Sequence, residues 1–360
     1  MIIWNPWHGC KKYSSGCLNC YVYRRDQSIG KDSSIISKTN SFDLPLKRNR
    51  SGEYKITASD NPVYICMTSD FFIEYADQWR KEIWNIIRIR NDLNFIIITK
   101  RITRAEECFP ENWGEGYDNV TIMCTCENNE EANKRLPCFL QLPIKKRGII
   151  CEPILENIEI SNWLDSGKIS KVICGGESGE NARVCDFEWV MNLREQCRKA
   201  DVSFRFKQTG YRFRKNDKLF LIKRKYQHSQ ADKAAVNYYS STEYNYNEIF
   251  SRLKKSEFRS RFHLNQKDKD YIYNKGLNTI REHAYEFIRK RLSPLNIEND
   301  GKQTPVRGHP IFIAQHACAC CCRDCLNKWH GITKKHELTY YEIDYIVSLL
   351  LNWIKKELNE

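Results

Sequence analysis

The sequence predicts an α/β protein built around a parallel sheet, in the form of a full or incomplete (β/α) barrel. Two observations carry this prediction. Short apolar, β-branched runs alternate with longer amphipathic segments over about the first 210 residues, and polar residues directly follow most of these runs. Near-continuous apolar strands separated by helices are typical of a parallel sheet covered on both faces. A doubly wound open sheet is the second interpretation, because it has the same alternation.

Strands and helices alternate from residue 62 onward, after a first strand near residues 2–4. The further predicted strands are residues 63–67, 95–99, 120–124, 148–151, 171–175 and 203–207. The helices are "YADQWRKEIWNIIRIR", "RAEECF", "NEEANKRL" and "FEWVMNLREQCRKA". This pattern amounts to about seven βα-type units.

Polar residues after the strands form the candidate active site, because the carboxyl ends of parallel strands meet at one edge of a sheet. Two carboxylates stand out by their settings, Glu152 in "CEPIL" and Glu177 in the turn "GGESG". The candidates after successive strands are Thr68, Ser69, Asp70, Lys100, Arg101, Glu127, Asn128, Glu152, Gly175, Gly176, Glu177, Ser178, Lys207 and Gln208.

The remainder of the chain predicts a smaller domain. Residues 211–245 are polar, basic and rich in tyrosine without clear periodicity, which is typical of a linker or an exposed excursion. A helical segment over 276–292 and a closing amphipathic helix, "YYEIDYIVSLLLNWIKKEL", follow it. We therefore expect an α/β domain over 1–210 and a mainly α-helical metal-binding domain over 246–360.

The composition favours a polyanionic partner in the cytoplasm. The 360 residues include 58 Lys and Arg against 45 Asp and Glu, a formal net charge of +13, and 9 Trp and 19 Tyr that can stack on bases. The sequence has no run of about 18 apolar residues and no signal-peptide pattern, so we expect no membrane span and a cytoplasmic location. In that reducing compartment, clustered members of the 17 cysteines are candidate metal ligands rather than disulfide partners.

Three cysteines near the N-terminus form the first cluster. Cys10, Cys17 and Cys20 have the spacing C-x6-C-x2-C and follow the first predicted strand, at the same edge as the candidate residues above. Thiolates bind zinc or iron–sulfur clusters. A structural zinc site would need a fourth ligand, for which His8 is the candidate. A [4Fe–4S] cluster on three thiols would keep one iron open for a substrate or cosubstrate.

Six segments of the first 210 residues carry a resemblance to a known family. They are, in order, "CKKYSSGCLNCY", "MTSDFF", "ITKR", "CEPIL", "GGESGENAR" and "FKQTG". With them the chain resembles the phage-associated three-cysteine-motif proteins, which look like divergent radical S-adenosylmethionine (SAM) enzymes. The resemblance implies a partial (β/α) barrel of the radical SAM type, a [4Fe–4S] cluster that cleaves SAM to a 5′-deoxyadenosyl radical, and an electron donor such as flavodoxin or ferredoxin. Radical SAM enzymes usually space their cysteines C-x3-C-x2-C, so the first spacing here departs from theirs.

The resemblance also implies roles for individual residues. Tyr21 follows the last cysteine, where these enzymes often carry an aromatic residue near the adenine. The candidates for SAM contacts are Ser69, Asp70, Gly175, Gly176 and Glu177, of which the glycines would let backbone amides approach the ligand. Those for substrate binding or proton transfer are Lys100, Arg101, Glu152, Lys207 and Gln208. The tryptophan that the family usually carries after Gln208 is Thr209 here.

The second cluster, "QHACACCCRDCLNKWHGI" over residues 315–332, holds five cysteines and two histidines. So dense a set favours metal binding over burial as apolar side chains. Cys322 and Cys325 form a C-x2-C pair, which His316 and His330 could complete to a tetrahedral zinc site. Residues 246–357 resemble a second small domain family of unknown function, whose shared elements match His316, Cys321, Cys322, Cys325 and His330. Cys318 and Cys320 are additions to that pattern, and they leave an iron–sulfur cluster open as an alternative.

Three functions are compatible with these observations. The first is a radical SAM enzyme that modifies a nucleic acid or a nucleotide-containing substrate, fused to a domain that binds a second metal, expected to be zinc. The second is a non-enzymatic nucleic-acid-binding protein with two structural zinc sites. The third is a metal-dependent hydrolase at the second cluster, which would need a carboxylate base, and Asp324 is the only acidic residue there.

Overall fold

The structure, a computed structural model, describes residues 2–58, 61–297 and 300–359. These residues divide into two compact units, unit 1 over residues 1–234 and unit 2 over residues 235–360. None of the described helices is long and apolar enough to cross a membrane.

The strands and helices are numbered in chain order. The strands are β1 (Ile2–Trp4), β2 (Trp7–His8), β3 (Ser37–Lys38), β4 (Val63–Ile65), β5 (Phe95–Thr99), β6 (Val120–Thr125), β7 (Lys146–Cys151), β8 (Ile169–Gly175), β9 (Cys185–Asp186), β10 (Ser203–Gln208), β11 (Arg212–Lys215) and β12 (Lys218–Leu221). The helices of unit 1 are α1 (Tyr21–Gln27), α2 (Asp77–Ile89), α3 (Ala105–Cys108), α4 (Asn129–Gln141), α5 (Ser161–Leu164), α6 (Phe187–Lys199) and α7 (Arg224–Lys233). Those of unit 2 are α8 (Asn247–Lys254), α9 (Glu257–Ser260), α10 (Gln266–Lys275), α11 (Leu277–Arg291), α12 (Pro310–Ala317), α13 (Arg323–His330) and α14 (Tyr340–Asn359).

The main sheet of unit 1 is a curled, parallel half-barrel of seven strands in the order β1-β4-β5-β6-β7-β8-β10. The predicted α/β class with an incomplete barrel is therefore confirmed. The central strands are apolar because helices and loops cover them; Ile97, Ile122 and Ile149, for example, are fully buried. All seven strands of the main sheet run in the same direction, so their carboxyl ends lie at one edge of that sheet.

The connecting helices are fixed by amphipathic patterns and by their first residues. In α2, Ile83, Trp84 and Ile87 recur on one face and are buried, which favours packing of that face against the sheet layer. Helices α4 and α6 begin after Asn128 and Asp186, whose side chains accept hydrogen bonds from backbone N–H groups of the first turn. Such caps stabilise a helix by about 1 kcal/mol each.

The segment 211–245, predicted to be a linker or an exposed excursion, contains β11, β12 and α7. Strand β11 pairs with β12 in antiparallel fashion and with β9 in parallel fashion. Helix α7 packs against β10. Residues 211–234 thus belong to unit 1, and the division between the units falls before residue 235.

Every named element in the described part of unit 2 is a helix, in agreement with the predicted mainly α-helical domain. Its core forms where α11 packs against α12 and α14. Buried apolar side chains from these helices include Ile280, Ile288, Ile311, Leu349 and Leu350.

Candidate functional site

A cavity opens at the carboxyl ends of the main-sheet strands. Its wall combines the last residues of these strands and the residues that follow them with the cysteine loop, residues 9–20, which lies between β2 and α1. The predicted residues that line it are Cys10, Cys17, Cys20, Tyr21, Ser69, Asp70, Lys100, Arg101, Glu152, Gly176, Glu177, Ser178, Lys207 and Gln208. The structure therefore brings together residues that are up to about 200 positions apart in the sequence.

Glu127 follows β6 and is fully buried, and its carboxylate contacts the cysteine loop. Its Oε1 lies 2.9 Å from Lys100 Nζ and its Oε2 lies 2.8 Å from Arg135 Nη1. The same carboxylate accepts hydrogen bonds from Ser14 Oγ and, at 3.3 Å, from the backbone N–H of Gly16. Burial alone would raise the pKa of Glu127, but the two cations and these donors outweigh it and lower the pKa to about 2. The ionised carboxylate thus connects the loop to two cations of the fold.

Gly16 is the point of closest approach between the cysteine loop and this ion pair. A Cβ atom at residue 16 would lie 2.7 Å from both Glu127 Oε1 and Lys100 Nζ, so only glycine fits without displacing them. Lys100, predicted to bind substrate or transfer a proton, lines the cavity and at the same time forms the ion pair beneath the loop.

Residues after β4 and β5 hold the first part of the cysteine loop. Ser69 Oγ donates to the first carbonyl of the loop, and Arg101 Nη2 donates to the carbonyl of Lys11 at 2.8 Å. Asp70 accepts a hydrogen bond from the backbone N–H of Lys100 at 2.9 Å, and its carboxylate lies 3.6 Å from the guanidinium of Arg101. The two predicted SAM contacts Ser69 and Asp70 therefore already use hydrogen bonds to position the chain.

Glu177, which follows β8, holds the last part of the cysteine loop. Its Oε2 accepts from the backbone N–H of Arg183 at 2.7 Å and from Asn19 Nδ2 at 3.0 Å. Arg183 Nη2 donates to the carbonyl of Ser15 at 3.0 Å. Burial alone would raise the pKa of Glu177, but the hydrogen bonds from Arg183 and Asn19 outweigh it and lower the pKa. Glu177, a predicted SAM contact, is thus itself an anchor of the loop.

The three thiols lie in different settings at the cavity wall, and all are partly exposed. Cys10 Sγ lies 3.9 Å from Arg101 Nη1, and burial, with a smaller effect of the Asp70 charge, raises the pKa of Cys10 to about 12. Burial also raises the pKa of Cys20, against hydrogen bonds from the backbone at the start of α1. Over the described residues, the three Sγ atoms do not form a set within 4.8 Å of one another.

His8, the candidate for a fourth zinc ligand beside this triad, is occupied by another partner. Its Nε2 lies 2.7 Å from Asp26 Oδ2, and both side chains are buried. Asp26 Oδ2 also accepts a hydrogen bond from Ser33 Oγ at 2.5 Å. The position of His8 therefore favours a structural role.

Gly175, the last residue of β8, and Gly176 allow the carboxyl ends of β8 and β10 to lie close together. The N–H of Gly176 donates to the carbonyl of Gln208 at 3.1 Å, and a Cβ at residue 176 would lie 2.5 Å from the carbonyl oxygen of Thr209. A Cβ at Gly175 would lie 3.3 Å from Glu152 Cδ. The backbone N–H of Gly176, which was expected to approach a ligand, is thus already hydrogen-bonded to the carbonyl of Gln208.

The opposite side of the cavity carries a carboxylate and an amine in contact. Glu152 Oε2 lies 2.8 Å from Lys207 Nζ, and Glu152 also accepts a hydrogen bond from Gln208 Nε2. These side chains are partly exposed, so a ligand could reach them. Tyr21, 38% exposed, lines the same cavity and donates from Oη to the carbonyl of Met67. The arrangement suits substrate binding or proton transfer.

In unit 2, Cys321, Cys322 and Cys325 form a thiol site that could hold a metal ion. Their Sγ atoms all lie within 4.8 Å of one another, and no other such set occurs in the part of the chain that the structure describes. Cys322 precedes α13, and its Sγ accepts from the backbone N–H of Cys325 at 3.4 Å. Arg259 donates from Nη2 to Cys325 Sγ at 3.0 Å and from Nη1 to Cys321 Sγ at 3.6 Å. The guanidinium thus places positive charge beside two of the sulfurs.

The other predicted ligands of the second cluster lie outside this set. His316 Nε2 faces the carbonyl of Thr304 at 3.2 Å, and His330 Nε2 faces the carbonyl of Cys318 at 2.9 Å. Cys318 and Cys320 are fully buried in the apolar core of unit 2. The structure therefore brings together the cysteines common to the predicted pattern and separates the two additions from them.

Comparison with known families gives two matches. Residues 2–266 match the family described as "Protein of unknown function (DUF5131)". The chain belongs to this family. Residues 247–355, which contain the thiol site, match "Domain of unknown function (DUF4186)". No solved structure matches the chain. Neither description states an activity, so the two sites of this DUF5131 protein are the guide to its function.

Several residues at the two sites of the DUF5131 protein were given no role by sequence reasoning. They are Asn19, Arg135, Arg183 and Arg259. Glu127 was among the candidates that follow the strands, without a role of its own, and Arg183 lies in "GGESGENAR". Arg259 lies within residues 246–357, the part of the chain that resembles the second family.

Proposed function

We propose that unit 1 binds a [4Fe–4S] cluster on Cys10, Cys17 and Cys20 and SAM in the adjoining cavity. The protein would then be a radical SAM-type enzyme, related to the phage-associated three-cysteine-motif proteins. The observation that carries this proposal is the position of three thiols at the carboxyl edge of a parallel half-barrel. They line one cavity with the paired side chains of Glu152 and Lys207.

The chemistry of the donor set supports a cluster over a closed zinc site. With Zn–S bonds of about 2.3 Å, tetrahedral zinc brings its sulfurs to about 3.8 Å from one another. On a four-iron cube each thiolate binds a different iron, so the sulfurs lie farther apart. Among the described residues, Cys10, Cys17 and Cys20 are not a set within 4.8 Å, and Nε2 of His8 already contacts Asp26. Three separated thiols fit a cluster that keeps one iron open.

The surrounding residues have definable tasks in this proposal. Cys10, Cys17 and Cys20 would hold the cluster, which when bound would supply the electron for reductive cleavage of SAM and so for hydrogen abstraction from the substrate. Arg101 places positive charge 3.9 Å from Cys10 Sγ and so favours the thiolate. Tyr21 covers the end of the loop beside Cys20. Lys207 Nζ and Glu152 Oε2, in contact at 2.8 Å, would be a proton donor and a proton acceptor for a substrate bound in the cavity.

We further propose a nucleic acid or a nucleotide-containing molecule as the substrate, in the cytoplasm, with flavodoxin or ferredoxin as the class of electron donor. The net charge of +13 supports a polyanionic partner. At the thiol site of unit 2 the proposed metal is zinc, because closely spaced sulfurs suit a single tetrahedral ion.

The decisive experiment is spectroscopy of the anaerobically reconstituted, dithionite-reduced protein with and without SAM. We expect broad absorption near ~400 nm and a reduced-cluster EPR signal that shifts on addition of SAM. Cys17→Ala should lose both, whereas Cys138→Ala, a substitution of a lone cysteine on α4, should keep them. A colourless wild-type protein with stoichiometric zinc in both units would overturn the proposal and favour the non-enzymatic binding protein with two structural zinc sites.

The substrate class is tested separately by binding of tRNA, other RNA and DNA at about 0.1 M salt, where specific complexes survive. We expect binding to at least one of the three. Negligible binding to all of them would refute the nucleic-acid substrate while leaving the cluster assignment intact.

A further inference from the structure

We propose that the thiol site holds a zinc ion on Cys321, Cys322, Cys325 and Nδ1 of His316, and that His330 lies outside the coordination sphere. This inference rests on the zinc-binding part of the proposed function and adds the fourth ligand. The sequence offers His316 and His330 as equivalent candidates, whereas their hydrogen bonds in the structure separate them.

The sulfur geometry sets the number of missing ligands. Cys321 Sγ and Cys325 Sγ lie 3.6 Å apart, close to the spacing of about 3.8 Å on one tetrahedral zinc ion. Cys318 and Cys320 do not supply a fourth sulfur. Both are fully buried in the apolar core, and Cys320 Sγ donates to the carbonyl of Cys318 at 3.4 Å. A closed zinc site therefore needs one further donor atom.

The hydrogen bond of His316 identifies that atom. A backbone carbonyl can only accept, so the contact of 3.2 Å to the carbonyl of Thr304 requires the hydrogen on Nε2. Nδ1 of the neutral ring then carries the lone pair, and this buried atom has no hydrogen-bond partner among the residues that the structure describes. An unpaired buried acceptor is unfavourable, and a metal ion bound to it would supply the missing partner. Zinc-ligating histidines usually hold their second ring nitrogen in this way, with its N–H on a carbonyl or carboxylate.

Contacts of Arg259 and Thr304 connect His316 to the thiol site. Arg259 Nη1 lies 2.7 Å from the carbonyl of His316 and 3.6 Å from Cys321 Sγ. Thr304 accepts from His316 through its carbonyl and donates from Oγ1 to the carbonyl of Cys321 at 2.8 Å. Phe262 stacks on the ring at a centroid distance of 5.3 Å. His316 is not within 4.8 Å of all three sulfurs, so we expect its ring to move onto the ion when zinc binds.

His330 has no free lone pair to offer. Its Nε2 lies 2.9 Å from the carbonyl of Cys318 and must donate, so Nδ1 is the acceptor. The hydroxyl of Tyr345, 3.0 Å from Nδ1, occupies this acceptor. Both ring nitrogens are therefore engaged within the fold.

Arg259 completes the charge balance of the proposed site. Three thiolates and one Zn²⁺ carry a net charge of −1, which the guanidinium offsets through its contacts with Cys321 and Cys325. This role requires Arg259 to remain on the sulfurs without binding the metal, since a guanidinium has no lone pair to donate.

The test uses the full chain with Cys10→Ala, Cys17→Ala and Cys20→Ala, so that any retained metal belongs to unit 2. Zinc per chain, zinc affinity by chelator competition and the zinc X-ray absorption spectrum are measured. We expect one zinc with three sulfurs at about 2.3 Å and one nitrogen at about 2.0–2.1 Å. His316→Gln should replace this nitrogen by an oxygen or lose it, and weaken binding by about 100-fold or more, while the matched variant His330→Gln keeps both.

Several results would overturn the inference. They are a four-sulfur site, a nitrogen lost in His330→Gln but kept in His316→Gln, and a protein that binds iron or no metal at unit 2. If His316→Gln does not fold, the spectrum of His330→Gln decides: a retained nitrogen supports the assignment and a lost one refutes it. The two sites are independent in this design, because failure of the iron cluster in wild-type protein does not alter the zinc spectrum of the triple variant.

Discussion

Glu127→Gln tests whether the cysteine loop is held in place by a buried ion pair. The substitution keeps the shape of the side chain and removes the charge that Lys100 and Arg135 share. In the native protein the pKa of this carboxyl falls from 4.5 to about 2, and at about 1.4 kcal/mol per pKa unit this corresponds to about 3 kcal/mol of stability. The figure agrees with the roughly 3–5 kcal/mol lost when one partner of a buried pair is removed.

The pH dependence of this stability has a definite sign. A carboxyl whose pKa is lowered by folding stabilises the protein fully above its unfolded pKa of 4.5, and this contribution disappears as the pH falls toward about 2. The difference in unfolding free energy between wild type and Glu127→Gln should therefore be about 3 kcal/mol at pH 7 and shrink below about pH 4.5.

Urea unfolding followed by tryptophan fluorescence measures this difference, and iron uptake on reconstitution reports the state of the loop. Glu131→Gln is the matched control, because Glu131 lies 2.5 Å from the same Arg135, and among the described residues its carboxylate forms no hydrogen bond or ion pair with the cysteine loop. We expect Glu127→Gln to lose both stability and iron, and Glu131→Gln to keep its iron. Equal stability of Glu127→Gln and wild type at pH 7, or a difference that does not shrink in acid, would refute the reasoning.

Three further outcomes follow from the same structure. Gly16→Ala should lower iron uptake, because its Cβ would lie 2.7 Å from Glu127 and Lys100, while the neighbouring Ser15→Ala should not; equal uptake in both would contradict the close approach. Removal of zinc with a chelator should lower the calorimetric unfolding temperature of unit 2 and leave that of unit 1 unchanged in the triple cysteine variant, since free zinc at 1,000 times Kd stabilises by about 4 kcal/mol. Binding to tRNA should weaken with salt by a slope of about −0.7 to −0.9 per phosphate contacted, and salt-independent binding would argue against the positive charge of the chain as its cause.

The sheet and the cavity edge could be predicted from the sequence because both depend on local patterns. Glu152 and Lys207 each follow an apolar run, and parallel strands bring such positions to one edge. Their side chains accordingly meet at 2.8 Å although 55 positions separate them. The number and order of these runs indicated a full or incomplete barrel without distinguishing the two, because closure of a sheet depends on how its edge strands pair.

What a polar side chain does at that edge could not be predicted, because it depends on partners from distant strands. Asp70 and Glu177 follow strands as Glu152 does, yet both are surrounded by donors of the protein itself. Similarly, His316 and His330 flank the same cysteines in sequence. In the structure they differ in that the hydroxyl of Tyr345 faces the second ring nitrogen of His330, a contact that their positions in the sequence do not reveal.

The order in which the loop anchors occur along the chain has a consequence for biogenesis. The cysteine loop is synthesised first, but the strand-end side chains that hold it follow from Ser69 to Arg183. At about 5–20 residues per second, the ribosome needs roughly ten to thirty seconds to pass from the loop to the last of these anchors. During that interval the three thiols are already made but lack these contacts. A cofactor that requires the fully anchored loop is therefore acquired only after most of unit 1 has been synthesised, and its supply has to match that stage rather than the beginning of synthesis.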